Sequence, residues 1–122
     1  MSTLEDTRAE IVAAFNAAID AKVARCYPRY RQTVRPGDAW VRLAARNRAS
    51  NGFGYVDTWE VWLVLPQKLD DAEKWLDDHL GELLTALDRP LFFNGVDSVL
   101  PSELVLGSNA VNGVILQGAR EG

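Results

Sequence analysis

The sequence predicts an α+β fold in the order helix–β-hairpin–helix–β-hairpin, with an antiparallel (mixed) sheet and the helices packed on one face. Three observations carry this. Two segments repeat apolar residues at helical spacing, and two pairs of runs rich in β-branched and aromatic residues are joined by turn-forming residues. Proline and glycine punctuate the junctions between them, at Pro28, Pro36-Gly37, Pro66 and Arg89-Pro90. At 122 residues, the chain reads as a single domain over 1–122, long enough to bury a sizeable core without metal or disulfides.

The first helix is predicted over residues 3–26. Ser2 to Glu5 offer a capping box, and Glu5 and Asp6 suit the positive end of the helix dipole. Leu4, Ile11, Phe15, Ala18, Ile19, Val23 and Cys26 make one apolar stripe, which Pro28 ends. Residues 27–38 follow as a connector in which arginines alternate with Tyr27 and Tyr30. That composition suits a nucleic-acid contact, a protein contact, or arginines packed over tyrosines.

The centre of the chain is a hairpin between Trp40–Arg48 and Tyr55–Pro66, with Asn51-Gly52 in its turn. A two-residue turn would set Arg46 opposite Asp57 but Val61 beside Arg42. An odd-length loop instead aligns Val41, Leu43 and Ala45 with Val61, Trp59 and Asp57 on the core face. It also sets Trp40 opposite Trp62, and Arg42 opposite Glu60, on the other face. Because a one-residue slip turns every side chain over, the odd-length loop is the expected register. Trp40, Val56, Trp62 and Val64 then face away from the core, beside Arg42, Arg46 and Glu60.

The second helix is predicted over 70–88, opened by a capping box at Asp70 to Glu73. Ala72, Trp75, Leu76, Leu80, Leu83, Leu84 and Leu87 form its apolar stripe. Gly81 in its middle costs about 1 kcal/mol relative to alanine, which suggests a close backbone approach there, to the first helix or to a neighbouring subunit. Two strands close the chain around a turn at Gly107, one near 96–106 and one near 112–119. The first is expected to be interrupted or bulged at Pro101, which lacks an amide hydrogen and belongs at an edge or a bulge.

The formal net charge of −4 hides a polarity. From Arg25 to Arg48, seven arginines (25, 29, 31, 35, 42, 46 and 48) face one acid, Asp38. From Ala49 to Gly122, four basic residues face twelve acids. Such asymmetry suits an anionic partner, or a basic patch of one copy meeting an acidic patch of the next. No apolar run approaches the ~20 residues of a membrane span. The acidic, amphipathic start predicts no signal peptide.

No catalytic constellation is legible. His79, the only histidine, lacks a second histidine or cysteine at metal-ligand spacing and reads as a packed boundary residue. Cys26 reads as a core thiol, although Arg25 beside it would favour the thiolate. Asp70, Asp71, Glu73, Asp77, Asp78 and Glu82 make an acidic helix face without the pattern of a calcium loop. No cofactor and no metal are expected.

Several local phrases, in this order, resemble the tail terminators of long-tailed phages (siphophages). They are an acidic helix running into Cys26, Tyr27 and Pro28, and Pro36 to Val41 opening the first strand. The proline-ended strand from Trp59 to Pro66 and the helix start at Asp70 to Glu73 follow. The closing strands at Leu100 to Ser102 and Asn112 to Ile115 complete the resemblance, which covers nearly the whole chain.

The resemblance implies a structural virion protein and no enzyme. Six copies would form a ring at the tail–neck junction that caps the tail tube, stops its polymerisation and offers a surface for joining the head. The implied partners are other copies of the chain, the tail tube protein and a neck or stopper protein. DNA would only pass through the lumen, and no membrane would be involved. The protein would be made in the cytoplasm of a bacterial host. Arg29, Arg31, Arg35, Trp40, Arg42, Arg46, Glu60, Trp62, Asp77 and Asp78 are the expected interface residues. Arg42→Glu or Arg46→Glu should therefore weaken assembly and leave a folded monomer. The alternatives are another head–tail connector, a small ligand-binding domain with Trp40 and Trp62 in its pocket, and a nucleic-acid adaptor.

Overall fold

A computed structural model describes residues 3–31, 34–88 and 91–122. The element order is α1 (Leu4–Ala18), β1 (Arg25–Tyr27), β2 (Asp38–Arg48), β3 (Tyr55–Val64), α2 (Leu69–Ala86), β4 (Val96–Leu106) and β5 (Asn109–Glu121). The strands form one sheet in the order β1-β2-β3-β5-β4. Its neighbours pair antiparallel except β1, which runs parallel to β2. The predicted α+β class and helix–hairpin–helix–hairpin order are present, with β1 as an added edge strand.

Helix α1 is shorter than its apolar stripe. Thr3 and Asp6 form a capping box, one residue later than expected, and Ser2 lies outside the described residues. The helix stops before Ile19, whose backbone is extended. The Asn16 side-chain amide bonds both the N–H and the C=O of Cys26, at 2.8 and 3.1 Å, and so holds that residue to the helix in strand conformation. Ile19, Ala24 and Cys26 are still buried, so the core demand is met by a turn and a strand instead of a longer helix.

The β2–β3 hairpin contains both registers weighed from the sequence. From Ala39 to Leu43 the pairing sets Trp40 opposite Trp62, Val41 opposite Val61 and Arg42 opposite Glu60. A β-bulge between Leu43 and Ala45 then shifts it, so Ala45 meets Thr58 and Arg46 meets Asp57. The expected odd-length loop is corrected: residues 49–54 make an even-length loop, and the bulge absorbs the offset. One register keeps Val41, Trp59 and Val61 in the core, and the other brings Arg46 to a buried carboxylate.

Helix α2 opens at Lys68 with no side-chain cap, which corrects the expected box. The helix already includes Asp70 and Asp71, which therefore act on the dipole from its first turn. Arg89 and Pro90, expected to end it, lie outside the described residues. At Gly81 a close approach by the first helix is corrected, because a Cβ built there meets nothing within 4 Å. Gly81→Ala is accordingly expected to stabilise the monomer by ~1 kcal/mol, measured by urea unfolding.

In the closing hairpin a bulge falls between Val96 and Ser98, and of the two places expected for Pro101 the chain uses the edge. Pro101 stays in register opposite Val114 on an edge strand, where its missing N–H costs no ladder bond. Gly107 opens the two-residue turn with φ of 66°, a backbone that favours glycine.

Both helices pack on one sheet face. Ile11, Phe15, Ala72, Leu83 and Leu87 meet Val41, Trp59, Val61, Leu63, Val114 and Leu116 there. Two glycines permit close packing, Gly118 on this face and Gly113 on the opposite face beneath Leu104. A Cβ at Gly118 would lie 2.5 Å from the Phe92 ring, and one at Gly113 would lie 2.7 Å from the Leu63 carbonyl oxygen. Gly118→Ala should therefore destabilise the fold by about 1–3 kcal/mol in a denaturant titration.

Candidate functional site

Among the described residues, no helix covers the other sheet face. Register alone places Tyr27, Trp40, Trp62, Ile115 and Leu100 in one row across all five strands. The next row across β2, β3, β5 and β4 is Arg42, Glu60, Gln117 and Ser98. Trp40, Val64 and Leu104 form a second small core on this side, with Trp62, Leu106, Val111 and Ile115 against it.

These side chains hold one another in place. Trp40 and Trp62 rings lie 6.0 Å apart, and Tyr30 meets Trp40 edge-on at 5.2 Å. The Arg42 guanidinium stacks 4.4 Å over Trp62. Glu60 accepts hydrogen bonds from Trp62 Nε1 at 2.9 Å and Gln117 Nε2 at 2.7 Å. Arg31 lies 4.4 Å over Tyr27. The patch is thus ordered in the isolated chain, which lowers the entropy lost on binding.

An open groove of about 460 Å³ runs over this patch. Trp62 and Tyr30 supply its aromatic surface, with Trp40 packed behind them, and Val105, Leu106 and Gly107 of the β4–β5 tip also line it. Its cations are Arg8, Arg29 and Arg42. Arg8 extends from α1 to donate to the carbonyl oxygens of Pro28 and Val41. Burial, then the neighbouring Arg29 charge, lowers its pKa from the usual arginine value. Arg29 forms an exposed ion pair with Glu5 at 2.9 Å. The groove offers cationic, aromatic and aliphatic surface together, a composition suited to protein contact.

The structure therefore brings Arg29, Trp40, Arg42 and Trp62 into one groove, with Glu60 bonded beneath Trp62. Trp40 lies on the expected face but is only 3% exposed, because Tyr30 and Trp62 cover it. Arg35 is elsewhere, in a cleft of about 470 Å³ with Lys22, Arg25 and Tyr27. Asp77 and Asp78 are exposed on α2, against the opposite sheet face.

Arg46 is not part of the groove. Its Nε and Nη2 donate to the two carboxylate oxygens of Asp57 at 2.6 and 2.8 Å, and that hydrogen bonding raises its pKa further. The expectation that Arg46→Glu leaves the monomer intact is revised, since it would set two carboxylates together at the core margin. Arg8, Val105 and Leu106 went unmarked in the sequence, because none carries a local signal of a site.

Cys26 is buried, and burial pushes its thiol up to about 12 from the ordinary 9.0, outweighing the opposing backbone hydrogen bond at Tyr27. The neutral thiol is the buried form, so its contribution to stability is full below pH 9 and is lost as pH rises towards 12. A thiol-reactive dye at pH 8 should label Cys26 only after the chain is denatured. His79 packs on Trp75 with ring centroids 4.8 Å apart. Among the described residues, no group of three or more His, Cys, Asp or Glu is placed to hold a metal ion. None of the described helices is long and apolar enough to cross a membrane.

In comparison with known proteins, no family model matches the chain, and no curated protein matches its sequence.

Proposed function

We propose that this chain is a structural virion protein, a tail terminator whose copies form a six-membered ring at the tail–neck junction. The ring caps the tail tube, stops its growth and presents the surface that joins the head. Its partners are further copies of itself, the tube protein and a neck or stopper protein, with DNA passing through the lumen.

One observation supports this most. The chain carries two unlike patches on opposite sides of its sheet: the ordered aromatic and arginine groove, and the exposed acidic face of α2. A closed ring needs a heterologous contact, in which two different patches of one subunit meet. The resemblance in element order supplies the particular ring.

The test is the mass in solution by light scattering, negative-stain images, and addition of growing tail tubes. Six-fold rings with a central hole, or tubes that stop growing when the protein is added, are expected. Tubes that grow on unchanged would sink the reading.

A second reading rests on the groove itself. Its volume of about 460 Å³ falls in the range of small-ligand sites. A ligand-binding domain would remain monomeric or dimeric and leave tube growth untouched.

A further inference from the structure

Gly81 is the residue that nothing in the chain accounts for. It sits within α2, where glycine is the poorest helix former after proline. Apart from its chain neighbours and the backbone of its own helix, nothing among the described residues lies within 4 Å of a Cβ built there, so internal packing does not require its small size. Its surroundings are exposed acids: Asp77 and Asp78 one turn before it and Glu82 beside it. Among the described residues, no ion pair neutralises any of the three. The helix thus carries a bare strip of backbone framed by carboxylates, facing solvent.

A bare helical backbone admits a flat surface at close range, as small residues do at helix contacts. Carboxylates around it select cations. The groove on the helix-free sheet face offers both: the indole surface of Trp62 with Arg42 stacked on it, and Arg29 and Arg8 at the same groove. Arg42 has no carboxylate partner among the described residues.

We infer that the α2 face centred on Gly81 of one copy seats in the Trp62 and Arg42 groove of the next. Gly81 lets the helix backbone approach the aromatic surface, while Asp77, Asp78 and Glu82 pair with arginines of the groove. This rests on the ring reading and deepens it by naming the two surfaces that meet. The patches lie on opposite sides of the sheet, so each copy presents both a donor and an acceptor surface and the contact propagates head to tail.

The test separates fold from contact through Gly81→Gln. Glutamine is a better helix former and its side chain has open space, so the thermal midpoint of the isolated chain should rise by ~3–6 °C. Self-association measured by sedimentation should nevertheless weaken at least about tenfold, the scale of one lost buried contact. Arg42→Glu should weaken it similarly, as should Asp77→Lys with Asp78→Lys, and combining the three charge reversals should restore it.

Normal association by both Gly81→Gln and the charge variants overturns the contact, as does a wild-type chain that stays monomeric at every concentration reached. Loss on Arg42→Glu alone also overturns it, since the groove would then hold a different surface. The ring reading fails separately. If the variants behave as expected while wild type neither forms rings nor stops tube growth, the contact stands and the terminator function falls.

Discussion

Trp59→Ala should cost the monomer about 3–5 kcal/mol, measured by urea unfolding with intrinsic fluorescence from the remaining tryptophans. Trp59 is among the largest fully buried side chains, set between Leu43 and Gly118 on the helix-covered face. The Arg8 guanidinium lies 5.5 Å from its ring. Three positions further along the same strand, Trp62 points to the opposite face and is half-buried. Trp62→Ala removes the Arg42 stacking and the bond to Glu60, and should cost less than about 2 kcal/mol. A Trp62 variant as unstable as the Trp59 variant would place both rings in the main core. Trp59→Phe should be mild, below about 1.5 kcal/mol, because the indole N–H is buried without a partner among the described residues and its loss removes an unmet donor.

Arg46→Ala should lower the thermal midpoint by roughly 10 °C or more, because it strands a carboxylate in the core margin. Asp57 is 1% exposed, whereas the Arg46 side chain retains 39% of its surface. The two partners are therefore unequal. Removing the arginine leaves a buried charge, while Asp57→Asn leaves a guanidinium that water reaches, at a cost of about 1.5–3 kcal/mol. A double variant, Arg46→Met with Asp57→Leu, should lose less than the sum of the single changes. Additive losses would show that the pair does not act as a unit. This prediction also separates Arg46 from Arg42, whose reversal should spare the fold and weaken only association.

Much of the fold was legible because hydrophobic period reports which face is buried. Ile11 and Phe15 on α1, and Leu83 and Leu87 after it, recur at helical spacing and are all in the core. The alternation of Val61 and Leu63 with Trp62 and Val64 marked two faces of one strand, and both faces proved organised. The pairings Trp40 with Trp62 and Arg42 with Glu60 followed from side-chain complementarity and are present. What escaped was anything set by contacts between distant segments. The stripe running from Ile19 to Cys26 carried no sign that Asn16 would clamp Cys26 into a strand. Nor did β2 announce its bulge, which satisfies the core near Val41 and the ion pair near Arg46 with registers one residue apart.

The candidate site divides in the same way. Its aromatic and cationic character was readable in Trp40, Arg42 and Trp62, because strand parity places them together. Its shape was not readable. Arg8 reaches the groove from α1, while Val105 and Leu106 reach it from the far hairpin. No local pattern ties either to the tryptophans.

By itself, the amino-acid order determined the element types, their sequence along the chain, and which residues avoid water, since propensity and hydrophobic period act over a few residues. Only the tertiary structure decided where α1 stops, how β2 shifts register, that Arg46 belongs to Asp57, and that Gly81 faces solvent. Each of those depends on groups far apart in the chain. Their energies of a few kcal/mol exceed the tenths carried by local preference.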